Sequence, residues 1–197
     1  MAKGPTYRRA LRRRVEGNTN YKKRLKLIKS KKIRAVIRAS VNHIHVQIVK
    51  SKFGGDEIIT SANSKELSNK FDWKANTGNI PSSYLTGYLA GLRAKKAGIN
   101  DAILDLGIFY HRNRVLAAFK GLLDAEIEIP YREKFFPESL EHRYDGSHIE
   151  EYAKFLKKEQ PEKYQEFFSG YLKKQKINPE NFKKLFKTTL ETIKTKV

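Results

Sequence analysis

Hydrophobic positions alternate over one stretch of this chain and fall at helical spacing over much of the rest. Ile33, Ala35, Ile37 and Ala39 alternate with Arg34, Val36, Arg38 and Ser40, and after a break Ile44, Val46 and Ile48 alternate with His43, His45 and Gln47. Period two predicts two half-buried antiparallel strands. Phe53-Gly54-Gly55-Asp56 supplies a turn, and Glu57 to Ala62 reads as a third strand. One face of this meander is apolar. The other carries Arg34, Arg38, His43, His45 and Gln47, and is expected to be open and basic, as in a sheet covered on one side only.

Residues 63–80 read as a polar loop containing Asn76-Thr77-Gly78-Asn79. A helix is expected from Pro81 and Ser82, with Tyr84, Leu85, Tyr88, Leu89 and Leu92 as its stripe and Gly98 as its stop. Gly87 and Gly91 within it predict close packing on the sheet. The run Ala102-Ile103-Leu104-Asp105-Leu106 suits a buried strand, and Val115, Leu116, Phe119, Leu122 and Leu123 mark a second amphipathic helix. The fold class is therefore α+β, a mixed sheet in β-β-β-α-β-α order with helices on one face. Beyond Ile129-Pro130 the composition shifts. Ser147-His148-Ile149-Glu150 fits a capping box ahead of Tyr152, Phe155 and Leu156, and Asn178-Pro179 opens a last helix bearing Phe182, Leu185, Phe186, Leu190 and Ile193. Three regions follow: a basic arm (1–32), an α/β core (33–129) and a mostly helical C-terminal extension (130–197). In the arm, Leu25, Leu27 and Ile28 are placed to pack its end onto the body.

Charge redraws the first fifty residues. The chain carries 41 Lys and Arg against 21 Asp and Glu, a net +20; residues 1–50 hold 16 of those bases and one acid, Glu16. Residues 51–130 carry 10 bases against 9 acids, and residues 131–197 carry 15 against 11, so the excess is concentrated. A segment reading Tyr7-Arg8-Arg9-Ala10-Leu11-Arg12-Arg13-Arg14 repels itself, and is expected to be disordered or held against a dense polyanion. Nucleic acid is the first candidate partner. Arg8, Arg9, Arg12, Arg13, Arg14, Lys22, Lys23 and Arg24 can clamp phosphates, while Tyr7 and Tyr21 can stack on unpaired bases. A solvated, non-specific basic tail is the bland alternative. The C-terminal lysines alternate with acids and read as a solvated helix face.

Enzymatic chemistry finds little to stand on. The β-β-β-α-β-α order also belongs to ribonuclease H-like nucleases, whose metal-dependent chemistry needs several converging carboxylates. The first strand and the helix from Ser82 contain none, and Asp105 stands alone on its strand. His43 and His45 could form half a metal site, but no Cys or carboxylate accompanies them, so a solvent-facing or phosphate-facing pair is the simpler reading. Neither a metal nor a cofactor nor a small-molecule substrate is expected. The chain has no Cys, which excludes a disulfide framework and suits a reducing compartment. No apolar run follows the basic N-terminus and none approaches the ~18 residues of a membrane span, so no membrane partner is expected either.

Several segments, in this order, resemble the large-subunit ribosomal protein family called universal L-eighteen in its archaeal and eukaryotic form. They are Tyr21-Lys22-Lys23-Arg24-Leu25, Arg38-Ala39-Ser40 with Asn42 and His43, Gly78-Asn79, Tyr84-Leu85-Thr86-Gly87-Tyr88-Leu89-Ala90-Gly91, Ala102-Ile103-Leu104-Asp105-Leu106-Gly107 and Ala118-Phe119-Lys120-Gly121-Leu122-Leu123-Asp124-Ala125. Val41 and Glu126 depart from the family pattern; a glycine is usual at the position of Glu126. The resemblance implies a non-enzymatic, cytoplasmic constituent of the large ribosomal subunit that binds 5S rRNA and helps anchor it in the central protuberance. Its implied neighbours are large-subunit rRNA and the universal L-five family protein. Joined to the charge reading, this makes the arm together with Arg34, Arg38, Asn42, His43, His45, Asn76 and Asn79 the expected RNA contacts.

Overall fold

The structure, a computed structural model, describes residues 4–108 and 112–197; Lys3 of the basic arm lies outside them. Two short helices, α1 (Arg12–Val15) and α2 (Tyr21–Lys29), precede strands β1 (Arg34–Ala39), β2 (Ile44–Lys52) and β3 (Gly55–Asn63). Helices α3 (Ser64–Lys70) and α4 (Ile80–Lys96), strand β4 (Ile103–Asp105) and helix α5 (Asn113–Asp124) complete the α/β part. The extension contains α6 (Ser147–Glu159), α7 (Pro161–Phe167) and α8 (Phe182–Lys196), joined by 3-10 and π turns.

The sheet order is β3-β2-β1-β4. β1 runs antiparallel to β2, with Ile37 opposite Val46, and parallel to β4, with Arg34 opposite Ile103 and Val36 opposite Asp105. The expected α+β architecture is present, and α4 and α5 cover the apolar face of the sheet. Ala35, Ile37, Ile44, Val46 and Ile48 from that face share one core with Leu85, Leu89, Phe119 and Leu122. Each large apolar side chain so buried contributes about 1.5–3 kcal/mol.

The glycines of α4 serve a different neighbour from the one the sequence suggested. A Cβ on Gly87 would lie 1.9 Å from the carbonyl oxygen of Ala118, and one on Gly121 would lie 2.2 Å from that of Tyr84. The two helices therefore cross backbone to backbone, and the small residues serve helix against helix rather than helix against sheet. Two terminus readings also change. Residues 64–70, expected to be loop, form α3, because Asn63 and Glu66 make a reciprocal capping box and Leu67 is buried. At α6 the expected box does not form: Asp145 accepts from the Ser147 amide (2.9 Å) and hydroxyl (2.6 Å), while Glu150 pairs with Lys154.

The extension closes back on the α/β part. Phe182, Phe186 and Ile193 of α8 enter the main core, and Phe182 meets the buried indole of Trp73 edge-on, with ring centroids 5.7 Å apart. Ala153 and Leu156 of α6 bury with Tyr164 and Phe168 in a smaller cluster, whereas Tyr152 and Phe155, placed on the same stripe from sequence, stay half-exposed.

Candidate nucleic-acid interface

The basic arm has two parts. In the first, Arg8, Arg9, Arg12, Arg13 and Arg14 are all exposed and α1 buries nothing. Its one acid, Glu16, pairs with Arg12 at 3.3 Å, and Arg13 Nε donates to Thr19 Oγ1 at 2.9 Å. Tyr7 is also exposed. Five guanidinium groups over seven residues meet so little internal compensation that an external anion is their natural counterpart.

The second part, α2, is docked. Asn20 caps it by accepting from the Lys23 amide, Leu27 and Ile28 are partly buried, and Leu25 remains exposed. Lys23 Nζ donates to the Gly107 carbonyl at 3.3 Å, and Arg24 donates to Asp56 Oδ2 at 2.7 Å. A groove of about 250 Å³ runs between this helix and the sheet, lined by residues that include Arg13, Asn18, Lys23 and Arg38.

Beneath α2 the sheet face is only partly open and not purely basic. Arg34 is 1 % exposed, with its guanidinium 2.6 Å from Asp56 Oδ1 and 3.0 Å from Asp105 Oδ2. Arg38 donates to Asp105 Oδ1 (2.9 Å) and to the Asp105 carbonyl (2.7 Å). Arg24, Asp56, Arg34, Asp105 and Arg38 thus alternate in sign along a continuous ladder. Burial alone raises the Asp105 carboxyl. Arg38 first, then the Gly107 amide and Arg34, outweigh that and hold it below the ordinary aspartate value. At Asp56 burial is likewise outweighed, there by Arg34 and Arg24. Arg34 consequently leaves the set of outward-facing residues: at this depth its charge is consumed inside the protein. Asp105, alone on its strand in sequence, is the hub of the ladder. A carboxylate in a buried run is itself a signal of a hidden cation, since buried charges are paired.

The remaining expected residues gather at a second place. His43 lies in the β1–β2 turn rather than on a strand, its Nδ1 3.1 Å from Thr77 Oγ1 and 3.3 Å from Ser64 Oγ. Thr77 Oγ1 lies 3.1 Å from the Asn42 carbonyl, and Arg114 donates to the carbonyls of Val41 (3.0 Å) and Gly78 (3.2 Å). The turn and the loop 72–79 are therefore stapled together, with Asn42 and Asn76 on their exposed side. Arg114 escaped sequence reasoning because it sits on a distant helix with no motif around it. Asn79 has a fold role, its side-chain oxygen capping α4 through the Ser82 amide. Asn76 Oδ1 accepts from Gln175, which ties the loop to the extension. His45 is exposed and sits against the Asn63 amide, 2.7 Å from Nε2.

A family model described as "Ribosomal large subunit proteins 60S L5, and 50S L18" matches residues 5–102, which span the arm, the first three strands and α4. The large ribosomal subunit protein uL18 of Aeropyrum pernix is 46 % identical over 184 residues, covering 91 % of this chain and 84 % of the relative. The chain belongs to the uL18 family. It is therefore a structural protein of the large ribosomal subunit rather than an enzyme, and its surroundings there are rRNA and other ribosomal proteins. Among the described residues of this uL18-family chain no helix is long and apolar enough to cross a membrane. Glu126, where the resemblance implies a glycine, has φ 63°, in the left-handed region that favours glycine, and pairs with Lys95.

Proposed function

We propose that this chain binds 5S rRNA and helps anchor it in the central protuberance, next to the universal L-five family protein. The observation carrying this reading is the contrast within one stretch of sequence. Arg34 and Arg38 are answered by internal carboxylates, while Glu16 is the only carboxylate paired with any of Arg8, Arg9, Arg12, Arg13 and Arg14 among the described residues. The ladder holds α2 on the sheet, so the arm leaves the body at a defined place instead of trailing from it. Tyr21, Lys22 and Lys23 sit where the docked helix begins, and the stapled turn with Asn42, His43 and Asn76 offers polar groups at a second point. Phosphate and 2′-hydroxyl contacts dominate such a surface, with stacking at unpaired bases.

Co-purification tests the reading. Full-length chain isolated from cells should carry 5S rRNA, and in a binding assay it should prefer 5S rRNA over a random duplex of similar length. Equal affinity for both would reduce the arm to a non-specific basic tail.

A further inference from the structure

The β2–β3 hairpin ends in a side chain that the fold does not use. Phe53 has a relative exposure of 112 %, and no ring or cation contact is made to it among the described residues. The last cross-strand pair is Lys52 with Gly55, so Phe53 and Gly54 form a two-residue turn. Such turns favour Asn, Asp and Gly, which supply the backbone conformation without exposing apolar surface. A phenylalanine there has no local reason to be present. We infer that Phe53 is a stacking platform for an unpaired RNA base, a contact that extends the proposed 5S rRNA interface beyond the arm.

Three observations select RNA. The hairpin continues the arm's surface, because Asp56, opposite Ser51 in the hairpin, holds Arg24 of α2. The acids of the hairpin are already answered, Asp56 by Arg24 and Arg34 and Glu57 by Lys52, while Lys50 is exposed with no partner among the described residues. A polyanion lying on α2 therefore runs onto the tip without repulsion. Finally, the turn itself has no apolar rim: Phe53 is flanked by Lys52 and Gly54, a Cβ at Gly54 or Gly55 would meet nothing within 4 Å, and the exposed Ile58 and Ile59 stand three and four positions beyond Gly55 on β3. A protein partner would need apolar surface packed around the ring and few lysines, whereas a ring on bare turn backbone, with Lys50 exposed on the same hairpin, suits a base and its phosphate.

The inference rests on the 5S rRNA reading, and the experiment separates the two. Affinity for transcribed 5S rRNA is measured at several salt concentrations for the parent, Phe53→Ala and Phe53→Trp, with nucleotide-resolved chemical probing of each complex and a thermal melt of each protein. Phe53→Ala should melt like the parent, bind roughly 5-fold to 100-fold more weakly and lose protection at an unpaired nucleotide. Its salt dependence should keep the parent slope, because no phosphate contact is removed. Phe53→Trp should restore both affinity and protection. A Phe53→Ala protein with the parent's affinity and footprint overturns this inference alone. A parent chain that does not bind 5S rRNA overturns both.

Discussion

Arg12 and Arg34 carry the same group 22 positions apart, and they do opposite work. The Arg12 side chain is 86 % exposed and pairs loosely with Glu16, whereas the Arg34 side chain is 1 % exposed between two carboxylates. Removing the first takes a charge from the surface; removing the second takes from Asp56 and Asp105 their shared cation and leaves Asp56 to Arg24 and Asp105 to Arg38 and the Gly107 amide. The lesson is that a count of positive residues measures supply, and only their neighbours show how much is left for a partner. The ladder turns part of the basic stretch into mortar for the arm's own base.

The largest effect should come from Arg34→Ala. Breaking a buried pair by removing one partner costs about 3–5 kcal/mol, and here two acids lose their shared cation. Urea unfolding of the variant against the parent measures it, and a loss below about 1 kcal/mol would erase the distinction between the two arginines. Next comes the triple change of Arg12, Arg13 and Arg14 to Ala. It should leave the melting temperature within error and weaken 5S rRNA binding. The slope of log affinity against log salt should become shallower by about 2, since each lost phosphate contact removes about 0.7–0.9. An unchanged slope would mean that these arginines meet no phosphate. The smallest effect is in acid. Asp105, Asp56 and Glu66 all have folded values held below their ordinary ones, 3.8 for Asp and 4.5 for Glu. Their contribution is fully present above those ordinary values and is lost as pH falls through the lower folded values. Stability followed from pH 7 to pH 2 should therefore decline below about pH 4. Asp105→Asn should flatten that decline, and an identical acid limb in the variant would show that the hub does not titrate with folding.

Elements whose periodicity is expressed locally were legible. Ile33 to Ala39 and Ile44 to Ile48 mark β1 and β2 because alternate residues face opposite sides of a sheet, and Pro81 and Ser82 mark the first turn of α4, whose cap is Asn79 at the end of the expected loop. The box at Asn63 and Glu66 is equally local, but the overall polarity of residues 63–80 points to a loop; the buried Ser64 and Leu67 are enough to hold a short capped helix. The roles of Gly87 and Gly121 were not legible, since a glycine announces close approach without naming what approaches. The candidate site divides in the same way. The arm's arginines were found from charge alone, while Arg114 and the acids of the ladder emerged only when strands and helices were placed.

The amino-acid sequence by itself determined the basic arm, the alternating sheet, the two covering helices and, through segments spread from Tyr21 to Ala125, the family. The tertiary structure decided which positive charges remain available. Arg34 and Asp105 are 71 positions apart, and Arg24 and Asp56 are 32 apart, yet both pairs lie within 3 Å. Coulomb energy depends on distance through space and on local solvent, neither of which is a property of separation along the chain.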